Sequence, residues 1–384
     1  MTTYAFETIT PTQALAIQAS DSLSFAAGPA RGVGVAYNIP IVGPATVTLT
    51  FEGRSVEFGL NLLEVSEQGR LTFPDDSRLM IGGTGNDGLL GWVHDDALFG
   101  GAGDDNLQGQ GGDDVLQGNQ GNDRLSTEHG ADVVYGGQGD DVIRTGVGVA
   151  GEAGDFANGN MGNDTITGGA GNDILLGGRD HDQVNGGLGD DYLSGDLGND
   201  ELRGGQGADS LFGGAGDDIL YSGGGKDLIS GGDGADQIIV YGGGGATVDG
   251  DDGDDDILSA SAAKDVLLGG AGADLFEFLS YQRPAEGQDD EIRDWGRSDK
   301  LAFEQMSVHA PTPADHAEVT AGDYSGALAL ANLLIAQGKA YVAAQVGGDV
   351  VVFAETDGVT ANGADIAVVL AGRSLDNIDA GAFV

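Results

Sequence analysis

The sequence contains no cysteine. Disulfides and thiolate metal sites are therefore excluded, and the redox compartment is left open. Positive charge is scarce: 16 Lys and Arg stand against 62 Asp and Glu, a formal net charge of −46. A surface of that sign repels nucleic-acid phosphates and anionic lipid, so neither is expected as a partner. Divalent cations are its natural counter-charge. Long apolar runs are missing as well. The stretch richest in apolar residues, 327–336, is interrupted by Asn332, and a bilayer span needs about 20 residues. The opening MTTYAFETITPTQALAIQAS has no Lys or Arg and no continuous apolar run, so it is expected to be neither a secretory signal nor a membrane anchor.

What is abundant is glycine, 72 residues of 384, against a usual share of roughly 7%. The acid is unevenly spread. Residues 81–277 hold 38 acids and 6 bases, net −32, whereas residues 1–80 carry −4 and residues 278–384 carry −10. An acidic, glycine-rich tract commonly stays disordered, but this one is phased. Aligned from Gly82, with short insertions near 145–149, at Val240 and at Ser259, it reads as 21 units of nine residues ending at Glu277. The sixth position is Asp in 20 of them: Asp87, Asp96, Asp105, Asp114, Asp123, Asp132, Asp141, Asp155, Asp164, Asp173, Asp182, Asp191, Asp200, Asp209, Asp218, Asp227, Asp236, Asp255, Asp265 and Asp274, with Ala246 the exception. The eighth position is a large apolar residue in 20 units, with Ala157 the exception. Disorder has no use for a phased hydrophobe.

Each unit divides into a turn and a very short strand. Glycines at positions one, two and four permit positive φ and let carbonyls crowd together. Asp at position six adds a carboxylate beside them. That mixture of oxygens suits calcium better than magnesium, which demands tight octahedral geometry and keeps its waters. Positions seven to nine form a strand of about three residues with its apolar member inward. Two successive units then make one coil of a flattened right-handed solenoid, and units two apart stack in the same sheet. The 20 aspartates are the expected metal ligands, with ions between neighbouring turns on each edge. One ion per stacked pair supplies at most about +38, close to the charge to be neutralised.

Units such as GGAGDDNLQ (100–108), GGAGNDILL (168–176) and GGLGDDYLS (186–194) resemble the RTX (repeats-in-toxin) nonapeptide family, whose calcium-binding motif is a known β-helix signature. The resemblance covers about half the chain and implies a parallel β-roll holding many calcium ions. GADLFEF (272–278) followed by DEIRDWGRSDKLAF (290–303) is similar to the cap that follows the roll in serralysin-type secreted proteins. Asp290, Ile292, Asp294, Trp295 and Asp299 occupy that cap's pattern. Asp290 and Asp294 are candidate ligands for one more calcium; the alternative is a salt-bridged cap through Arg293 or Lys300. The ending SLDNIDAGAFV resembles an uncleaved type I secretion signal, which implies transit through that machinery.

The flanks read as β structure. Residues 1–80 alternate apolar and polar positions at 32–39, 45–51, 54–59 and 77–82, as expected of a small all-β domain that caps the roll, mediates assembly, or both. Beyond the roll, residues 341–358 read as two strands about a Gly-Gly-Asp turn, 364–372 as another strand and 327–336 as a short helix. Three domains are expected: 1–80, 81–277 and 278–384.

No catalytic constellation is evident. The chain has no H-E-x-x-H and no G-x-S-x-G, so the protease and lipase chemistries that accompany such rolls are missing. GGGKD (223–227) fails as a P-loop because Asp follows Lys226. His94, His129, His181, His309 and His316 are scattered. The expectation is a non-enzymatic, secreted, extracellular calcium-binding structural protein that folds on calcium. It would self-assemble into a surface layer, fibre or biofilm matrix. The alternative is a soluble adhesin or polysaccharide-binding module, with a cell-surface polysaccharide as partner.

Overall fold

The computed structural model describes residues 2–18, 20–38, 46–60, 62–63, 66, 71–279, 287, 289–303, 316–354, 364–378 and 382–383. His309 and the whole 304–315 segment around it lie outside these residues. The chain forms two compact units, Met1–Leu188 and Gly189–Val384, which divide the repeats between them. Among the described residues nearly all regular structure is β, and no helix is long and apolar enough to cross a membrane.

In the first unit the repeats build two parallel sheets. Sheet I contains Leu79–Ile81, Ala97–Ala102, Val115–Gln120, Val133–Gln138, Phe156–Met161 and Ile174–Arg179. Sheet II contains Gly88–Leu90, Asn106–Gln108, Arg124–Ser126, Val142–Arg144, Thr165–Ala170 and Gln183–Leu188. Partners lie 18 residues apart, as in Leu107 against Leu125. The insertion at 145–149 widens one coil, so that Ile143 pairs with Ile166. The eighth-position side chains from Leu98 to Val184 are buried between the sheets, each large one stabilising the fold by roughly 1.5–3 kcal/mol relative to exposure.

The strands are longer than the expected three residues. Many span six, because the chain stays extended through positions one to three of the following unit, as in Ile174–Arg179. The glycines at positions one and two therefore belong to the sheet ladder, and the turn is confined to positions four to six.

The amino-terminal residues fold as expected into β structure. An antiparallel meander, Gly34–Asn38, Thr46–Phe51 and Arg54–Gly59, accompanies a parallel trio, Thr3–Ala5, Ser22–Ser24 and Leu71–Thr72. A short helix, Pro11–Leu15, was not legible as one; Thr10 and Gln13 close it with a capping box. The core of this region, with Phe6, Phe25, Phe51 and Phe73 in contact, continues onto Leu79, Ile81, Ala97 and Phe99. Those four residues lie on the outer face of the first two sheet I strands. Tyr37 Oη donates toward the carbonyls of Gly82 and Phe99, at 3.2 and 3.3 Å. Arg31 Nη1 reaches Asp113 at 2.8 Å and its Nε reaches Asp95 at 3.4 Å.

The second unit repeats the plan. Its sheet I strands are Tyr192–Leu197, Ser210–Ala215, Leu228–Asp233, Thr247–Asp252, Val266–Leu268 and Asp290–Ile292. Its sheet II strands are Glu201–Gln206, Ile219–Gly224, Gln237–Val240, Asp256–Ser259, Leu275–Phe278 and Lys300–Phe303. The last strand of each sheet lies beyond residue 277, so the coiling runs into the presumed cap. Ile292 and Leu301 take eighth-position places there and are buried.

Sheet I then receives Ile366–Leu370 in parallel, followed by antiparallel Asp349–Ala354 and Tyr341–Val346 and by His316–Ala321. The expected hairpin turns at Val346 and Asp349. The expected helix is Tyr324–Ile335, which buries Tyr324, Ala327, Ala331 and Ile335 against Val342, Val351 and Phe353. Phe383 pairs with Leu301 and stacks on Tyr341 at 4.5 Å, so the end of the chain is packed against the final coil.

Because Leu220 is fully buried while its neighbour Ile219 is 36% exposed, the two should respond differently to truncation. Leu220→Ala should cost about 2–5 kcal/mol and Ile219→Ala less than about 1 kcal/mol, read from urea unfolding in saturating calcium.

Candidate metal sites along the turns

Two rows of turns connect the sheets. Row I leads from sheet I to sheet II and carries Asp87, Asp105, Asp123, Asp141, Asp164 and Asp182 in the first unit, and Asp200, Asp218, Asp236, Asp255 and Asp274 in the second. Row II leads back and carries Asp96, Asp114, Asp132, Asp155 and Asp173, then Asp191, Asp209, Asp227 and Asp265, with Ala246 in the gap. All twenty aspartates occupy equivalent places. Every one except Asp87 is buried.

The turn itself depends on glycine at position four. Gly216 has φ +137°, and a Cβ there would lie 1.7 Å from the carbonyl oxygen of Gly198, one coil earlier. Position two also has positive φ but tolerates polar residues: Gln110, Asn119, Asn160, Asp196 and Asp251 all occupy it.

Position one is glycine for a different reason. It has no positive φ; its bare Cα leaves room for oxygens. A Cβ on Gly118 would stand 2.2 Å from Asp123 Oδ2 and 2.6 Å from the Gly136 carbonyl oxygen. On Gly213 the same atoms are Asp218 Oδ2 and the Gly231 carbonyl oxygen, both at 2.4 Å. Each such cradle thus combines a carboxylate oxygen, a carbonyl oxygen from the next coil and a space that a methyl group would fill.

The two oxygens of each aspartate have separate duties. Oδ1 accepts the backbone N–H of the aspartate one coil earlier: Asp105 N–H to Asp123 at 2.7 Å, Asp123 N–H to Asp141 at 2.7 Å, Asp218 N–H to Asp236 at 2.8 Å. Oδ2 is buried without a hydrogen-bond partner in Asp105, Asp114, Asp123, Asp141 and Asp164, and again in Asp209, Asp218, Asp236 and Asp255. A buried acceptor left alone is costly, and a buried unpaired charge more so. The donor set, one carboxylate oxygen beside carbonyls, fits a hard cation of flexible coordination. Among the described residues no three His, Asp or Glu side chains converge on one point, which sets these cradles apart from zinc-type sites. Calcium bound there supplies the positive charge that stacked carboxylates need.

The sequence reading missed the fifth position. Its Asp or Asn side chains form a second ladder running the opposite way. Asp104 N–H donates to Asn86 Oδ1, Asn122 N–H to Asp104 Oδ1 and Asp140 N–H to Asn122 Oδ1, each at 3.0 Å. The recurrence of Asp or Asn just before the invariant Asp was the available signal.

The candidates at the two ends differ from the rest. Asp87 Oδ2 accepts the Gly83 N–H, and Asp96 Oδ2 the Trp92 N–H, so both carboxylates are already satisfied by the protein. Asp290 accepts the Asp265 N–H at 2.8 Å and continues row II. Asp294 accepts the N–H groups of Gly269 and Gly270, at 3.0 and 2.8 Å. The two cap aspartates thus hydrogen-bond different coil positions, Asp290 the backbone of Asp265 and Asp294 that of Gly269 and Gly270. Arg293 pairs with Glu291 at 3.1 Å. Asp299 of the cap pattern is buried and accepts the Gly296 N–H at 2.6 Å. Trp295 is buried over Phe276.

Burial pushes Asp114 and Asp141 up to about 8, and carboxylates one coil away on either side add to the rise. Burial likewise raises Asp164, Asp209, Asp218 and Asp255 to about 7. A carboxyl whose folded pKa is raised favours the fold below its unfolded pKa and loses that contribution as pH climbs through the folded value. Without calcium, β structure should therefore form on acidification from pH 8 to 5, followed by circular dichroism. With calcium, the binding midpoint should shift to higher concentration as pH falls from 8 to 6, because ions and protons compete for the same oxygens. Gly213→Ala should remove an ion from the stoichiometry measured by titration calorimetry. Gly224→Ala, whose Cβ would meet nothing within 4 Å, should leave it unchanged.

Comparison with curated proteins finds no match. A family model described as RTX calcium-binding nonapeptide repeat (4 copies) matches in overlapping segments that cover residues 79–143 and 149–278. The matched residues are those that build the stacked turns, and they bind multiple calcium ions. With half of its length matched in this way, the chain belongs to the RTX calcium-binding nonapeptide repeat family.

Proposed function

We propose that this is a secreted, non-enzymatic structural protein that folds in extracellular calcium and associates with further copies of itself through the outer face of sheet I. One observation carries the reading. In the first unit the outward positions of sheet I are Val115, Gln117, Val133, Tyr135, Phe156, Asn158, Ile174 and Leu176, with no charge among them. In sheet II the corresponding positions include Asn106, Gln108, Arg124, Arg144, Thr165, Gln183 and Asn185. Ile174 is 46% exposed, and the Tyr135 and Phe156 rings lie 5.6 Å apart on the uncharged face. In the second unit the first three strands of sheet I carry Tyr192, Ser194, Ser210, Phe212, Leu228 and Ser230 at these places, and the fourth brings in the charge of Asp249.

In a chain of net charge −46, an uncharged strip is where two copies approach at least electrostatic cost. Calcium in the turns lowers that cost further. The ligands of this reading are the aspartates whose Oδ2 is buried without a hydrogen-bond partner, such as Asp105, Asp123, Asp218 and Asp236. Millimolar calcium, on the order of 10⁻³ M outside cells, supplies the ion, and binding linkage converts it into folding free energy. Export through a type I machinery rests on the terminal resemblance. The surface built would be a layer, fibre or biofilm matrix.

A second reading, a polysaccharide-binding adhesin, is favoured by a cavity of about 670 Å³ in the first unit. Its wall includes Phe73, Asp76, Ser77, His94 and the exposed Trp92, over whose ring Arg78 lies at 4.4 Å.

Calcium titration of the chelator-treated chain, with circular dichroism and light scattering recorded together, separates the two. Assembly predicts that folding is accompanied by growth in particle size. The double variant Tyr135→Lys, Ile174→Lys should fold at the same calcium concentration yet stay small. A wild-type chain that folds to a stable monomer at millimolar calcium would sink the assembly reading and favour the adhesin.

A further inference from the structure

In the second unit the two rows of turns are built differently. Row I keeps glycine at position one in Gly195, Gly213, Gly231, Gly250 and Gly269, each with its aspartate. Row II keeps that pattern only as far as Gly204 and Asp209. The next position-one places hold Ser222, Tyr241 and Ala260, the last two preceded by the extra residues Val240 and Ser259, and the carboxylate between Asp227 and Asp265 is replaced by Ala246.

Each replacement removes part of the cradle. Ser222 is wholly buried; its hydroxyl accepts the Tyr241 N–H at 3.0 Å and lies 3.2 Å from the Tyr241 carbonyl oxygen. It fills the space that glycine leaves open elsewhere. Ala246 offers no carboxylate, although its N–H still donates to Asp265 Oδ1 at 2.8 Å. Asp265 Oδ2, the oxygen stranded in so many counterparts, lies 2.7 Å from Ser259 Oγ and 2.9 Å from Ser261 Oγ. Asp290 Oδ2 lies 3.0 Å from the same Ser259 hydroxyl.

The charge differs too. Lys226 and Lys264, the two lysines of residues 81–277, both take fifth positions in this run, where other units carry Asp, Asn, Ala, Gly or, once, His. Lys264 Nζ bonds Glu291 at 2.8 Å. With Gly244, Gly245 and Ala246 the two lysines border an open cavity of about 580 Å³.

We infer that row II holds no calcium between Asp227 and Asp290, and that hydroxyl groups and lysine ammonium groups secure these turns in its place. Calcium then loads the two rows of the second unit unequally. The inference concerns which coils need the ion and stands apart from the assembly reading.

Long-wavelength X-ray diffraction from crystals of the calcium-saturated full chain tests it directly. Anomalous peaks are expected beside Asp218, Asp236 and Asp255 and none between Asp227 and Asp290; a peak in that interval overturns the inference. Calorimetry of two variants gives an independent reading. Asp255→Asn should lower the number of bound ions, while Asp265→Asn should leave the number and the midpoint of calcium binding as in the wild type. An equal loss in both variants would overturn the inference, and the diffraction result stands even if Asp265→Asn fails to fold.

Discussion

The structure depends on a single oxygen per half-coil. In turns such as those of Asp105, Asp123, Asp218 and Asp236, Oδ1 of the buried aspartate is consumed by the backbone of the preceding coil, which fixes the carboxylate and aims Oδ2 at the bare Cα of a glycine. That arrangement cannot be satisfied within the chain, because the surrounding groups are carbonyls, which are acceptors. Only a proton or a cation can balance it. Glycine content, extreme acidity and calcium binding thus follow from one geometric fact. A larger residue at position one would exclude the ion, and an amide at position six would remove the carboxylate charge that attracts it.

Much of this was legible in the chain. The nine-residue phase placed all the eighth-position side chains in the core, and the invariant Asp marked the turn. The strands flanking the roll and the helix Tyr324–Ile335 followed from ordinary alternation and apolar spacing. What was hidden has a common cause: the period of nine describes a unit, whereas stacking acts over a coil of two units. A fifth-position Asn86 is unremarkable until the coil brings the Asp104 N–H 3.0 Å away. The segment 290–303 reads as a cap because the chain between Phe278 and Asp290 breaks the phase, yet Ile292 and Leu301 still fall on the core. The short helix at Pro11–Leu15 has too few residues for any period to show.

The coil also reveals an inequality that the linear period conceals. The insertion at 145–149, the extra residues Val240 and Ser259, and the long connection before Asp290 all fall in row II, as do Thr127, Ser222 and Ala246. Row I carries glycine at position one from Gly82 to Gly250 within each unit without exception. A ladder that is stabilised by bound cations tolerates little change in spacing, since each ion needs oxygens from two neighbouring coils. Insertions collect where that requirement is relaxed. The contacts of Arg31 with Asp95 and Asp113 are likewise made on row II, where a fixed guanidinium takes over part of a cation's work.

The ends of the ladder obey the same rule by a different means. At the first coil Asp87 and Asp96 turn Oδ2 to the amides of Gly83 and Trp92, while the Arg78 N–H serves Asp96 Oδ1. Toward the other end Asp294 and Asp299 accept amides of Gly269, Gly270 and Gly296. A terminal turn has a neighbour on one side only and cannot complete a shell of oxygens from two coils, so the chain provides N–H donors there instead. The outer coils are thereby held by groups that are always present, and the inner ones by an ion whose concentration the surroundings decide. The carboxylates that calcium balances thus lie in the inner turns of each unit, while the turns beside the flanking regions are held by hydrogen bonds within the chain.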